Sequence, residues 1–344
     1  MKKIKDEFGE DSEEYKALFF QYKKLENENA KTQESNLKHW EGGLAEKSDN
    51  IELRGLERLY CRSLVIEPTK ICAAHCRYCL RAHYDLFTLK ENDLKGIAEF
   101  CGSKNVKDNL AEVLITGGDP LIIPQRLHLL VELLLEKAPN IRIIRIGSRL
   151  MTQDPERVDN NVYGIFKNKP GIRFEIGTQI NHPIEFFEES IETFKEFFKL
   201  GVKIYSQNIL LRNINDNINC LIKLYDIMRE LDIEPHYLFH CVPMRGMHHF
   251  RTTVTKGIEL TKSLVNSGYI SGRAKPMFAL MTDIGKIIPY EGTILRKNSF
   301  GQILIQSAYK YQDRMRWNPY WELPKTAEID DKGYLRVWYL DGED

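Results

Sequence analysis

The sequence predicts an α/β chain built around a partial (β/α)6 barrel, with a helical N-terminal extension and a β-containing C-terminal extension. Three observations lead there. Six short β-branched or apolar runs alternate with longer segments of helical period between residues 64 and 268, the pattern of parallel strands joined by right-handed crossovers. The runs are apolar almost end to end, as strands covered by helices on one face and curled on the other must be. The unusual polar clusters follow the runs, end them or, once, lie within one. That puts them on a single rim at the C-terminal ends of the strands, where an α/β barrel gathers its chemistry.

Each element has its own local reason. Residues 1–50 are polar and charged, and Tyr15, Leu18, Phe19, Tyr22 and Leu25 repeat at helical spacing in DSEEYKALFFQYKKLENENA, so an amphipathic helix is expected there. The strand runs are LVIEP (64–68), EVLITG (112–117), IRIIRIG (141–147), IRFEIGT (172–178), KIYSQNILL (203–211) and PHYLFHCV (235–242). Helical patterns separate and follow them at 125–138, 184–200, 219–231 and 254–268. After residue 270 the pattern is irregular, with strand-like GQILIQSA (301–308) and YLRVWYL (334–340). The division that follows is an N-terminal helical extension (1–57), the barrel (58–270) and a C-terminal segment with a β-containing cap (271–344).

Composition narrows the function classes. Lys plus Arg and Asp plus Glu both number 49, giving a net charge of zero, so nothing favours nucleic acid as a partner. The charged start MKKIKDEFGEDSEEYKALFF lacks the apolar core of a signal peptide, and no apolar run approaches the roughly 18 residues of a membrane span. A soluble cytoplasmic protein is the expectation. Seven cysteines, odd in number and unevenly placed, do not make a secreted disulfide framework.

Three of those cysteines crowd into CAAHCRYC, residues 72–79. Zinc usually takes four ligands, and His75 is the one local candidate for a fourth. Disulfide exchange needs only Cys76 and Cys79 and leaves Cys72 unused. An iron–sulfur cluster held by three thiolates keeps one iron open for a ligand. CxxxCxxC after the first strand of such a barrel resembles the radical SAM superfamily. RIGSR, TQINHP, QNILLRNIND and HHFRTTVTKGIE, in that order and at matching spacing, further resemble the lysine 2,3-aminomutase family over about residues 55–290.

The resemblance implies a radical SAM, TIM-like partial barrel and three cofactors: a [4Fe–4S] cluster, S-adenosyl-L-methionine (SAM) and pyridoxal 5'-phosphate (PLP). It implies cluster ligation by Cys72, Cys76 and Cys79, and SAM contacts from Gly117, Gly118, Asp119, Ser148, Arg149, Gln179 and Gln207. Gln179 stands where the lysine enzymes have a histidine. Lys286, in MTDIGKIIP, matches the lysine that binds PLP covalently. Arg58 and Arg62 match its phosphate contacts, where guanidinium forks suit a dianion. Arg81 matches the arginine that pairs with the substrate α-carboxylate. The implied reaction moves the α-amino group of an amino acid to its β-carbon through a 5'-deoxyadenosyl radical.

Departures from the family bear on substrate. Lysine-specific members read the distant ammonium with two aspartates, which align here with Val242 and Met281. Neither pairs with a cation, so lysine is not the expected substrate. Arg245 is a candidate partner for an acidic side chain, and Asp283 lies near the second lost aspartate. Acidic, small and aliphatic amino acids all remain in play. No cysteine follows Cys241, so the family's C-terminal zinc site is not expected. A one-electron reductant such as flavodoxin or ferredoxin is implied, and the N-terminal helix and aromatic tail offer contact surface for a homo-oligomer. Two other readings are a radical SAM/PLP enzyme of different outcome (elimination, or action on a peptide-bound residue) and a non-catalytic Fe–S/SAM-binding sensor. The sensor would have no need of Lys286 or Arg81.

Overall fold

A computed structural model describes residues 2–24, 45–48, 51–58, 60–81, 86–167 and 169–344. Two strands, β1 (Ala45–Ser48) and β2 (Ile51–Arg54), form an antiparallel pair. The main sheet has nine strands. It starts with β3 (Leu56–Glu57), antiparallel to β4 (Ser63–Thr69). From β4 it runs parallel through β5 (Glu112–Gly117), β6 (Ile143–Gly147), β7 (Arg173–Thr178), β8 (Lys203–Leu210), β9 (Glu234–His240) and β10 (Met277–Thr282). It ends with β11 (Gly285–Ile287), which turns back on β10. The two end strands, β3 and β11, are not bonded to each other. The sheet is a curled half-barrel, as the sequence predicts.

Burial follows the strand period. Leu64, Ile66, Val113, Ile115, Ile144 and Ile146 are fully buried against helices such as Pro124–Lys137, which buries Leu127, Leu130, Val131 and Leu134. Each such side chain is worth about 1.5–3 kcal/mol. The alternate positions point to the concave face and carry the polar residues: Glu67 on β4, Glu112 on β5, Arg145 on β6 and Glu175 on β7.

The parallel sheet runs one strand further than the sequence predicts. MFALMT, read as irregular, is the seventh parallel strand. It has little β-branched character, and its pairing with β9 rather than its own propensity makes it a strand. The main sheet therefore continues past residue 270. The helix expected over 184–200 begins instead with a 3-10 turn, Pro183–Glu185, before Glu188–Lys199. There the Glu185 carboxylate accepts from the amides of Asn181 and His182 and caps the start of that turn. The N-terminal segment forms two short helices, Lys2–Phe8 and Glu13–Phe19, the second capped by Ser12. Helix Glu13–Phe19 buries Ala17, with Gln21 buried just beyond it, while Tyr15, Leu18, Phe19 and Tyr22 of the predicted stripe are half-buried; Leu25 of that stripe lies outside the described residues.

The C-terminal sheet, in the order β12 (Ile294–Lys297), β13 (Gln302–Lys310), β15 (Tyr334–Leu340), β14 (Ala327–Ile329), is antiparallel. Its inner residues Ile303, Ile305, Leu335, Val337 and Tyr339 join the barrel's core. Among the described residues no helix is long and apolar enough to cross a membrane.

Candidate active site

The cysteine loop leaves the end of β4 and is pinned by the end of β5. The Gly118 amide donates to the Thr69 carbonyl at 2.7 Å and the Asp119 amide to the Ile71 carbonyl at 2.8 Å. A Cβ at Gly118 would sit 2.1 Å from the Ile71 oxygen, and one at Gly117 (φ +115°) 2.3 Å from the Thr69 oxygen. The glycines of GGDP are thus required by the approach of the loop's own backbone.

All three thiols are half-buried. The Cys76 sulfur accepts from Arg149 Nη1 at 2.9 Å and Gln153 Nε2 at 3.3 Å, and the Cys79 sulfur from the Arg81 amide at 3.4 Å. Burial pushes the Cys72 thiol up to about 12, and the charges of Cys79, Asp119 and Cys76 add to it. Burial raises Cys79 as well, with Cys76 adding to it. Three clustered thiols, with N–H donors aimed at two of the sulfurs, suit a cationic iron cluster that would offset the charge of the thiolates. They share a loop and a field rather than a closed ligand set: among the described residues no three His, Cys, Asp or Glu side chains converge as a metal site. His75 is exposed.

Next to the loop, charges are paired. Glu67, fully buried, binds both Lys70 and Arg81, and burial lowers Lys70 to about 8. Glu67 thereby fixes Arg81 beside Cys79. Asp119 accepts from Ser148 Oγ at 2.8 Å, from the Arg149 amide at 2.9 Å and from the Leu121 amide at 3.1 Å. These bonds tie the end of β5 to that of β6, while burial raises the Asp119 carboxyl. Arg149 reaches across to Glu185 at 2.6 Å. Glu185, Gln21, Tyr78 and Gln153 were not singled out from sequence. For Glu185 the signal was present, because it closes a capping box with His182. Gln179, just beyond β7, and Gln207, on β8, are half-buried.

Lys286 sits on β11 opposite Met281. Its ammonium lies 4.5 Å from the centre of the Tyr237 ring and 5.8 Å from that of Phe239. Burial, with the charge of Arg145, brings it down to about 8 against the pull of Glu112. Arg145 is held by Glu112 at 2.5 Å and Glu175 at 3.4 Å. From behind, Tyr309 Oη donates to the Lys286 carbonyl at 2.6 Å and Arg314 Nη2 to the Ile284 carbonyl at 2.5 Å. Arg62 lies exposed at the foot of β4, its carbonyl bonded to the Glu112 amide at 3.2 Å. Arg58 is buried and donates to the Cys61 carbonyl at 3.0 Å, so its guanidinium is turned toward its own turn.

Val242 is buried and Met281 half-buried, in one apolar cluster with Cys76, Tyr78, Leu80 and Ile209. Arg245 is exposed. Asp283 is bonded by Thr326 of the cap.

The comparisons with known proteins agree with this geometry. A family model described as "Radical SAM superfamily" matches residues 66–224, which span β4 to the helix Ile218–Glu230 and include the whole cysteine loop. Over those residues the chain carries a radical SAM domain. A domain of this kind implies a [4Fe–4S] cluster and SAM, and the thiol loop with its N–H donors fits that cluster. Its relatives there are aminomutases. The L-lysine 2,3-aminomutase of Clostridium subterminale is 29% identical over 66% of this chain and 53% of that protein. That of Acetoanaerobium sticklandii is 30% identical over 66% and 54%. The glutamate 2,3-aminomutase of Clostridioides difficile is 28% identical over 65% and 52%. The chain spans about half the length of each.

Proposed function

We propose that this radical SAM protein is a PLP-dependent 2,3-aminomutase acting on a free amino acid whose side chain is uncharged and apolar. The observation that carries the reading is Lys286. A half-buried amine facing two aromatic rings, in the same half-barrel as the cysteine loop, is set up as a nucleophile. When bound, PLP supplies an electron sink for the migrating amino group, and the cluster with SAM supplies the 5'-deoxyadenosyl radical.

The chain's own residues supply attachment, orientation and dryness. Lys286 gives a largely neutral amine slightly above pH 8. Arg62 and Arg58, at the foot of β4, are the anchors proposed for the phosphate, with Arg58 turning from the Cys61 carbonyl to reach it. Arg81, fixed by Glu67 beside Cys79, is proposed to bind the substrate α-carboxylate close to the cluster. The side chain would then meet Val242 and Met281. A lysine ammonium there would be buried without a counter-charge, and Arg245, the cation considered for an acidic side chain, is exposed outside that cluster. A small one-electron carrier of the flavodoxin or ferredoxin kind is the proposed reductant.

The test is anaerobic reconstitution with PLP, SAM and dithionite, followed by mass-spectrometric search for β-isomers of each proteinogenic amino acid. An aliphatic or small amino acid gives the isomer under this reading. Lysine turning over as well as any other would refute the substrate assignment. Deoxyadenosine formed without any isomer would refute the aminomutase reading while keeping the radical chemistry. Replacing Cys72, Cys76 and Cys79 together by alanine should remove the bound iron, measured by metal analysis.

A further inference from the structure

The segment just after the first described helices does something the barrel alone does not. Gln21 is fully buried, and all of its amide hydrogen-bonding groups are engaged. Its oxygen accepts from Tyr78 Oη at 2.8 Å and Asn181 Nδ2 at 3.2 Å; its nitrogen donates to Glu185 at 3.3 Å and to the Ala17 carbonyl at 3.2 Å. Its carbonyl takes the Arg77 amide, inside the cysteine loop, at 2.8 Å. The next residue, Tyr22, accepts from Gln153 Nε2 at 3.4 Å, the same nitrogen that donates to Cys76. Its ring lies 5.9 Å from the Arg149 guanidinium, whose other aromatic neighbour is Tyr78 at 5.8 Å. Both side-chain donors to the Cys76 sulfur are therefore held, through Tyr78 and Glu185 for Arg149 and directly for Gln153, by two consecutive residues from outside the barrel.

We propose that Gln21 and Tyr22 are positioning residues for the iron–sulfur site, orienting Arg149 and Gln153 as N–H donors to the Cys76 sulfur and thereby raising the reduction potential of the cluster. This rests on the cluster assignment of the radical SAM reading. Donors aimed at a ligating sulfur favour the more electron-rich, reduced state. A buried amide in a fully satisfied network holds those donors more firmly than solvent would. A segment that served only to cover the loop would need apolar residues here, whereas this one places an amide and a phenol against the two donors.

The experiment compares the full chain with Gln21→Leu and Tyr22→Phe, each reconstituted anaerobically and poised at a series of potentials, with the reduced cluster counted by electron paramagnetic resonance. At the wild-type midpoint, the reduced-to-oxidised ratio should fall about two- to tenfold in each variant, the equivalent of one net hydrogen bond. Tyr22→Phe removes a single oxygen and keeps the test available where Gln21→Leu does not fold. Unchanged ratios in a variant that carries a full complement of iron would overturn the proposal, and so would loss of iron with no change of potential in the clusters that remain. A wild-type chain that takes up no [4Fe–4S] cluster would overturn the cluster assignment itself, and this inference with it.

Discussion

The cysteine rim and the Lys286 pocket are built by opposite means. At the rim, buried charges are given partners: Arg149 has Glu185, Arg81 and Lys70 have Glu67, and Asp119 has Ser148 and two amides. At β11 the amine of Lys286 has two rings in front of it and the repelling charge of Arg145 nearby. The difference shows how one half-barrel produces two kinds of site. Paired charges fix positions and cost mobility, which suits holding a cluster and a carboxylate. A desolvated amine loses its proton easily, which suits covalent attachment of a carbonyl cofactor.

The comparison is broken most severely at the lysine. Lys286→Ala should abolish the PLP adduct trapped by borohydride, read by absorbance and peptide mapping; a full adduct at one other lysine would place the attachment elsewhere. Breaking the rim comes next. Arg149→Met leaves Glu185 buried without its cation and should cost about 3–5 kcal/mol of unfolding free energy in urea, whereas a loss near zero would mean that the pair is not held as described.

A pH series sharpens the contrast. The folded chain holds Lys286 near 8 against an ordinary 10.5, so the neutral amine accumulates as pH rises through 8. The adduct should form half-maximally near there, and an apparent midpoint near 10.5 would contradict the burial of the amine. By linkage the same group destabilises the fold most below pH 8, where the folded chain must hold the proton against its burial, and between 8 and 10.5 only the unfolded chain binds that proton. Stability should rise with pH from 8 toward 10.5 on this account. The smallest effect is expected at the cap. Tyr309→Phe loses one bond to the Lys286 carbonyl and should cost about 1 kcal/mol in urea unfolding, with adduct formation retained.

Much of this was legible in the chain. The cysteine loop and the run of polar clusters could be placed on one rim because strand ends and loops are read directly from the order of apolar runs. Lys286 could be proposed only through its resemblance to a family, since its local sequence, IGKII, is that of an ordinary edge lysine. Gly117 and Gly118 could be singled out by resemblance as SAM contacts, but not the approach of the Thr69 and Ile71 backbone that requires them. Gln21 could not be found at all. Nothing local distinguishes a glutamine that will be buried 57 residues from Tyr78 and 164 from Glu185.

The sequence by itself determined the order of strands and helices, the three thiols within eight residues, and the absence of acids at 242 and 281, because periodicity and residue chemistry are local properties. Tertiary structure alone decided that MFALMT is a strand, that Gln21 and Tyr22 reach the cysteine loop, and that Lys286 faces Tyr237 with its charge weakened. Each of those depends on which distant surface excludes water from a group. Burial and hydrogen-bond partnership across the barrel are fixed only when the sheet has curled and its crossovers have closed.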